Sequence, residues 1–514
     1  MKIPTTLCIL SLGLSLIALT DAHQREGKHH HDAKIHGSNK VHVREKTNNH
    51  HHHHNAHDKA ADAIPHVPYR GHEDKAKDDH VQIKENQTPF VVPEEQHSPP
   101  PSGTKEREPD HDEVEEIVDH KKKKDQDGRK NRDNVMPFAG RKEKMVVAYW
   151  TDWTSATMPP EDIPFNKVTH VNYAFSIVTP DFRPVFETDY LLKRVVKGAH
   201  ANNVKVLMSI GGWTGSQYFS PLAASKQGRK TFVDGAINMI KEYDLNGIDI
   251  DWEYPGRLGS ACNKFDEQND SKNFLKLLRE LRAAMNDLPN GEGLEISLAT
   301  RIVPFDGPDG PMKDVSEFSK VVNHINVMAY DINGSWGTVT GANAPLEGSG
   351  LTYVGGAEAW INAGFPPEQI NMGVPFYGRS LITKRDMTSA QSMAAPFDKK
   401  VPIGDNNDGL WTDPCEKTAA YSGVWKYKNL REQGVIDANG NARAPWVRKF
   451  DEESQTPWLF NPVTKQFISY DDRESLKLKV DFAKQKNLGG VMLWAINQDT
   501  TDFELLNVLQ EVRV

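Results

Sequence analysis

From Met145 onward the chain alternates short, largely apolar runs with amphipathic stretches, and it does so eight times. The runs are 145–150, 168–177, 204–210, 247–253, 294–300, 324–330, 370–376 and 490–495. Continuous apolar runs of this length suit strands buried on both faces, and most of the intervals carry a helical pattern, such as Arg229 to Tyr243 or Lys272 to Met285. Strands that alternate with helices form a parallel sheet, and eight such units fit a closed TIM (β/α)8 barrel better than an open sheet. One interval breaks the pattern. Between the seventh and eighth runs, at about 380–467, the sequence turns rich in turn residues and aromatics. It is too long for a bare loop in a compact domain and is expected to form a small subdomain on the barrel rim.

The sequence before Met145 reads differently. Lys2, an apolar run from Leu7 to Leu19 and small residues around Ala22 make residues 1–22 a secretory signal peptide, too short for the ~20 residues of a membrane span. From 23 to 142 His, Lys, Asp, Glu and Pro dominate, and the apolar content is too low to offset the entropy of ordering; this segment is expected to be disordered. It holds all but three of the 21 histidines, including His50 to His54. Such a run can collect zinc or copper weakly, but it lacks fixed ligand spacing, and a solvated tail is the favoured reading. The basic run Lys121 to Lys124 is a processing site, an anion-holding patch or a solvated linker block. A net charge of −9 gives no basic footprint for nucleic acid. Once Cys8 leaves with the signal peptide, Cys262 and Cys415 remain, to pair in an oxidising compartment or stay as separate thiols.

The stretch that begins with the fourth run, Gly247 to Pro255, reads GIDIDWEYP. Residues two apart on a strand share a face, so Asp249, Asp251 and Glu253 point one way while Ile248, Ile250 and Trp252 point the other. In a barrel the apolar set packs under the helices, and the acids line the interior toward the C-terminal mouth, where such barrels place their active sites. Three neighbouring buried carboxylates cannot all ionise cheaply, so the set is expected to retain a proton near neutral pH. Glu253, nearest the mouth, is the natural general acid. A set of core acids or an oxygen-ligand cation site is the alternative; no further acid cluster of ligand spacing supports a metal.

This stretch resembles the DxxDxDxE signature of glycoside hydrolase family 18, the chitinases and their relatives. Ser209-Ile210-Gly211-Gly212-Trp213, Met328-Ala329-Tyr330-Asp331 and Trp494 in GGVMLWAIN follow in the family's order and fall at predicted strand ends. The resemblance covers about Met145 to Val514. It implies retaining hydrolysis of β-1,4-linked N-acetylglucosamine without a cofactor, in which the acetamido group of the −1 sugar is the nucleophile. Glu253 would act as acid and then base, Asp251 would steady the acetamide N–H with Asp249 behind it, Tyr330 would donate to the acetamide oxygen, and Asp331 would bind near the reacting sugar. One position departs from the signature: its first acid is Asn246, which can hydrogen-bond but carries no charge.

Sugar rings pack their C–H faces on aromatic planes. By resemblance, Trp494 is the floor under the −1 sugar, with Trp213 and Trp336 as flanking platforms; Tyr149, Phe175 and Tyr377 stand at strand ends as expected walls. GVPFYGRS, Gly373 to Ser380, resembles the family branch with a small α+β insertion, and Arg379 within it is expected to reach a sugar hydroxyl or tether a rim acid. Of the sequons at Asn86, Asn269 and Asn333, the last is expected to stay unmodified because it follows the cleft motif. The reading is thus a secreted, extracellular chitinase whose partner is chitin or its oligosaccharides. A non-catalytic chitin-binding lectin and an endoglycosidase acting on N-glycans are the rivals, as is a tail that carries the biology, with the barrel as cargo.

Overall fold

The computed structural model describes residues 143–514 except Pro414 and Glu416. The signal peptide, the His-rich tail and the Asn86 sequon lie outside the described residues. Eight parallel strands form the barrel: β1 (Met145–Thr151), β2 (His170–Val178), β3 (Lys205–Gly211), β4 (Gly247–Asp251), β5 (Glu295–Arg301), β6 (His324–Met328), β7 (Ile370–Pro375) and β8 (Gly490–Trp494). Each pairs in parallel with its sequence neighbour, and β8 pairs in parallel with β1, so the barrel closes. Every predicted run is one of these strands.

Helices cover the outside because their apolar residues recur on one face. In Asp189–His200 the residues Leu191, Leu192, Val195, Val196 and Ala199 are buried. Lys226–Tyr243 starts with the Ser225 side chain accepting from the Gly228 amide and ends on Asp244 in the left-handed conformation. Ile248 and Ile250 are fully buried under these helices, and Trp252 stacks on Phe219 with ring centroids 5.4 Å apart. The apolar half of the GIDIDWEYP alternation therefore anchors the strand, which fixes the direction of the acidic half.

At the opposite end of β4, Asn246 is a structural link. Its Oδ1 accepts from the Val206 amide at 2.7 Å and pairs with His200 Nε2 at 2.9 Å, tying the start of β4 to β3 and to the preceding helix. An amide does this without adding a fourth negative charge to the strand.

Between β7 and β8 the chain builds a five-stranded antiparallel sheet in the order Val424–Lys426, Tyr377–Ile382, Gln466–Ser469, Thr456–Asn461, Val447–Asp451, with the short helix Tyr427–Glu432. Its alternation makes two cores: Trp458, Phe460 and Phe467 pack with Met387 and Met393, while Leu459 and Ile468 join the core shared with the barrel. Cys262 and Cys415 are joined in a disulfide, with Cα atoms 5.2 Å apart, linking the loop after β4 to this insertion. Among the described residues, no helix is long and apolar enough to cross a membrane.

Candidate functional site

The acids meet at the C-terminal end of the barrel, in two tiers. Asp249 lies beside Ser209 on β3 and Ser297 on β5 in the strand register, so its carboxylate sits between two inward-facing hydroxyls. Ser209 Oγ donates to Oδ2 at 2.7 Å and Ser297 Oγ to Oδ1 at 2.5 Å; Tyr149 Oη adds a bond to Oδ2 at 2.8 Å and Asn326 Nδ2 a long one to Oδ1 at 3.5 Å. Burial raises the Asp249 carboxyl above its ordinary range, and these four donors pull in the other direction.

Asp251, one step nearer the mouth, has no such support. It is 3% exposed, and its Oδ1 has no hydrogen-bond partner. Burial first, then the charges of Glu253 and Asp249, hold its carboxyl well above the usual range. Burial, then the charge of Asp331, pushes Glu253 up to about 7, while a hydrogen bond from Tyr254 acts to lower it. The cluster thus keeps protons at neutral pH, as a shared property of the group.

The strand is shorter than expected. The β ladder stops at Asp251, and Glu253 lies two residues beyond it because the Glu253 amide leaves the ladder to donate to Ser216 Oγ at 2.9 Å. Ser216 Oγ also approaches the carbonyls of Gly212 and Asp251, and Asn263 Nδ2 donates to the Glu253 carbonyl at 2.7 Å. The backbone of Glu253 is therefore held on both sides by neighbouring loops. The two glycines after Ser209 make this approach feasible: Gly211 has φ +120° and a Cβ there would stand 2.1 Å from the Asp251 carbonyl oxygen, while Gly212 has φ +77° and faces the Phe175 ring.

Across the mouth, Asp331 Oδ1 accepts from Tyr377 Oη at 2.7 Å and from Arg379 Nε at 2.6 Å. Arg379 also lies over the Trp336 ring, 5.0 Å from its centroid. Of the two expectations for Arg379, the tether to a rim acid is the one the structure has. The Tyr330 hydroxyl meets only a weak acceptor, Met492 Sδ at 3.8 Å, which leaves a strong donor available.

The aromatic expectations divide. Trp213 and Trp336 are exposed platforms, at 46% and 51%. Trp494 and Phe175 stack at 5.6 Å in a partly open floor. Tyr149 and Tyr377 are not walls: at 1% and 5% exposure they are packed beneath the surface, where burying a phenol requires a partner, and they spend their hydroxyls on Asp249 and Asp331. Trp153, absent from the expected set, continues the row by stacking on Phe175 at 6.1 Å while 40% exposed; its place just after β1 was a usable signal. Ser297 and Asn326 were also missed, although each is a polar residue in the middle of a predicted buried strand. Asn333 donates its amide to the Ala342 carbonyl at 2.9 Å and is half-buried, and Asn269 donates its amide to Asp266 Oδ2 at 2.9 Å on the exposed surface. Among the described residues, no group of three or more His, Cys, Asp or Glu is arranged to hold a metal ion.

Comparison with known proteins adds to this geometry. The model of the Glycosyl hydrolases family 18 matches residues 145–499. A "chitinase-like effector" of Moniliophthora roreri is 38% identical over 379 residues, which is 70% of this chain and 90% of that protein. An "Endochitinase" of Manduca sexta is 30% identical over 393 residues, 70% of this chain and 64% of that protein. The crystal structure of a chitinase from Rhizomucor miehei aligns with a TM-score of 0.67 at 36% identity, covering 72% of this chain and all of that one.

Proposed function

The chain belongs to glycoside hydrolase family 18, and from that premise we propose that it is a secreted chitinase cutting β-1,4-linked N-acetylglucosamine chains by substrate-assisted, retaining catalysis. The observation that carries the proposal is the unpartnered Oδ1 of buried Asp251 beside a Glu253 poised near pH 7. A buried carboxyl oxygen without a donor is costly unless something supplies one, and a substrate acetamide N–H does.

The steps follow from the placement of the groups. Glu253 gives its proton to the glycosidic oxygen as the bond to the anomeric carbon breaks. The acetamido carbonyl oxygen of the same sugar closes onto that carbon, forming an oxazolinium ion. Asp251 accepts the acetamide N–H and faces the developing positive charge, with Asp249 kept behind it by its four donors. The Tyr330 hydroxyl orients the acetamide oxygen. Glu253, now ionised, takes a proton from water as the water opens the ring on the same face. Positioned electrostatic groups of this kind supply a large part of a barrier reduction. Trp494 and Phe175 support the reacting sugar, and Trp213, Trp336 and Trp153 extend the apolar track on either side. The disulfide is in keeping with secretion, since such bonds persist in oxidising compartments.

The second reading is the non-catalytic lectin, in which the barrel binds chitin oligosaccharides without cutting them; one relative is named chitinase-like rather than chitinase. Glu253 favours hydrolysis. Proton NMR of the first sugar released from a chitin hexamer tests both: the β-anomer is expected, the α-anomer contradicts the substrate-assisted route, and binding without release supports the second reading.

A further inference from the structure

Asp331 closes the motif after β6 with a φ of +58°. A side chain other than glycine in this left-handed region is strained, and the strain persists only where neighbours over-determine the turn. At Asp331 one residue does much of this. Asn343 Oδ1 accepts from the Asp331 amide at 3.2 Å, and the Asn343 carbonyl accepts from the next amide, that of Ile332, at 3.0 Å. Two successive amides of the turn are therefore gripped by the side chain and the main chain of Asn343.

The remaining polar groups of Asn343 point at the insertion. Its Nδ2 donates to the Tyr377 carbonyl at 3.3 Å, and its backbone amide donates to Ser469 Oγ at 2.7 Å. Ser469 lies opposite Arg379 where Gln466–Ser469 pairs with Tyr377–Ile382. The latter strand also supplies both groups that hold the Asp331 carboxylate, Tyr377 Oη and Arg379 Nε. Asp331 is thus fixed at its amide through Asn343 and at its carboxylate directly, with both attachments ending on the same pair of strands. Asn343 is fully buried, so its amide oxygen and nitrogen both need partners, and one planar group has to accept on one side and donate on the other. An ionised carboxylate of the same shape cannot donate.

We propose that Asn343 is a positioning residue for the reaction: it fixes the left-handed turn at Asp331 and locks that turn to the insertion, so that the Asp331 carboxylate is held in one place at the mouth. The inference rests on the reading of Glu253 as the acid. Burial and then the charge of Asp331 raise Glu253 to about 7. A charge acts on its neighbour through a fixed distance, so an Asp331 free to turn toward solvent raises Glu253 less. Through this one buried amide, the insertion takes part in setting the pH range in which the acid keeps its proton.

The test measures kcat/KM on a chitin hexamer from pH 4 to 9 for the wild type, Asn343→Ala, Asp331→Asn and the double variant. The falling limb is expected to move down by about 0.5–1 pH unit in Asn343→Ala and in Asp331→Asn, with no further movement in the double variant. A merely structural role for Asn343 lowers the whole profile and leaves the limb where it is, which overturns the proposal. A larger shift in the double variant than in Asp331→Asn also overturns it, because Asn343 then acts by a route other than Asp331. If Asn343→Ala fails to fold, Ser469→Ala takes its place, since it frees only the Asn343 backbone amide. It is expected to move the limb in the same direction by less, and an unmoved limb overturns the proposal. Carbon-13 NMR of protein labelled at the glutamate carboxyls separates this proposal from the hydrolase reading, with the Glu253 signal identified by its loss in Glu253→Gln. In a protein that cuts nothing, a Glu253 midpoint lowered by Asn343→Ala keeps the positioning role and removes the acid's reaction; equal midpoints remove the positioning role.

Discussion

Replacing Glu253 by Gln is expected to stabilise the fold, and to do so only above acidic pH. The amide is nearly isosteric, so packing is kept while the ionisable group is lost. Burial and Asp331 raise the Glu253 carboxyl from 4.5 to about 7. A carboxyl raised on folding contributes stability that is fully present below its unfolded value and is lost as pH rises through its folded value. The window is therefore about pH 4.5 to 7, and at ~1.4 kcal/mol per pH unit the ionised group costs the native state about 3 kcal/mol by pH 8. Neutralising Glu253 also relieves Asp251, whose carboxyl its charge helps to raise, so the coupling acts in the same direction. Urea unfolding followed by tryptophan fluorescence, for wild type and variant at pH 4 and pH 8, measures the effect. The stability of the variant relative to wild type should rise by about 3 kcal/mol between the two pH values. A difference that is flat with pH, or that falls, refutes the claim that Glu253 is held protonated at the expense of the fold.

Three further outcomes follow from the site. Loss of the Glu253 proton should make kcat/KM fall as pH rises through about 7, and a profile flat to pH 9 would assign the acid elsewhere. Tyr330→Phe removes a donor with no strong protein acceptor, so kcat on a chitin hexamer should fall ~10²-fold or more with little change in KM; a kcat near that of wild type would contradict its role. Trp213→Ala and Trp336→Ala remove exposed platforms, each expected to raise KM about tenfold, equivalent to ~1.4 kcal/mol, with kcat kept; unchanged KM in both would move the sugar track away from them.

The barrel was legible because strands covered by helices on one face and packed inside the barrel on the other read as short, largely apolar runs, and eight such runs alternate with helical patterns. The inward direction of Asp249 and Asp251 was legible for a related reason: Ile248, Ile250 and Trp252 left the acids only one face. What lay beyond reach depends on contacts between distant strands. Tyr149 sits at a strand end like a wall residue, but its hydroxyl belongs to Asp249, 100 positions away. Strand propensity could not show that the ladder ends at Asp251, since the competing acceptor, Ser216, sits in another loop. Cys262 and Cys415 are 153 positions apart, and no local pattern brings them together. Asp331 carried a motif, yet its fixation by Tyr377 and Arg379 depends on how the insertion seats on the rim.

The most direct measurement is turnover and binding of chitin hexamer by the wild type and by Glu253→Gln. The account predicts measurable turnover in the wild type, a fall in kcat of ~10²–10⁴-fold in the variant, and undiminished binding of the hexamer. Turnover that survives the substitution would contradict the assignment of Glu253 as the acid, and tight binding with no turnover in either protein would contradict hydrolysis itself.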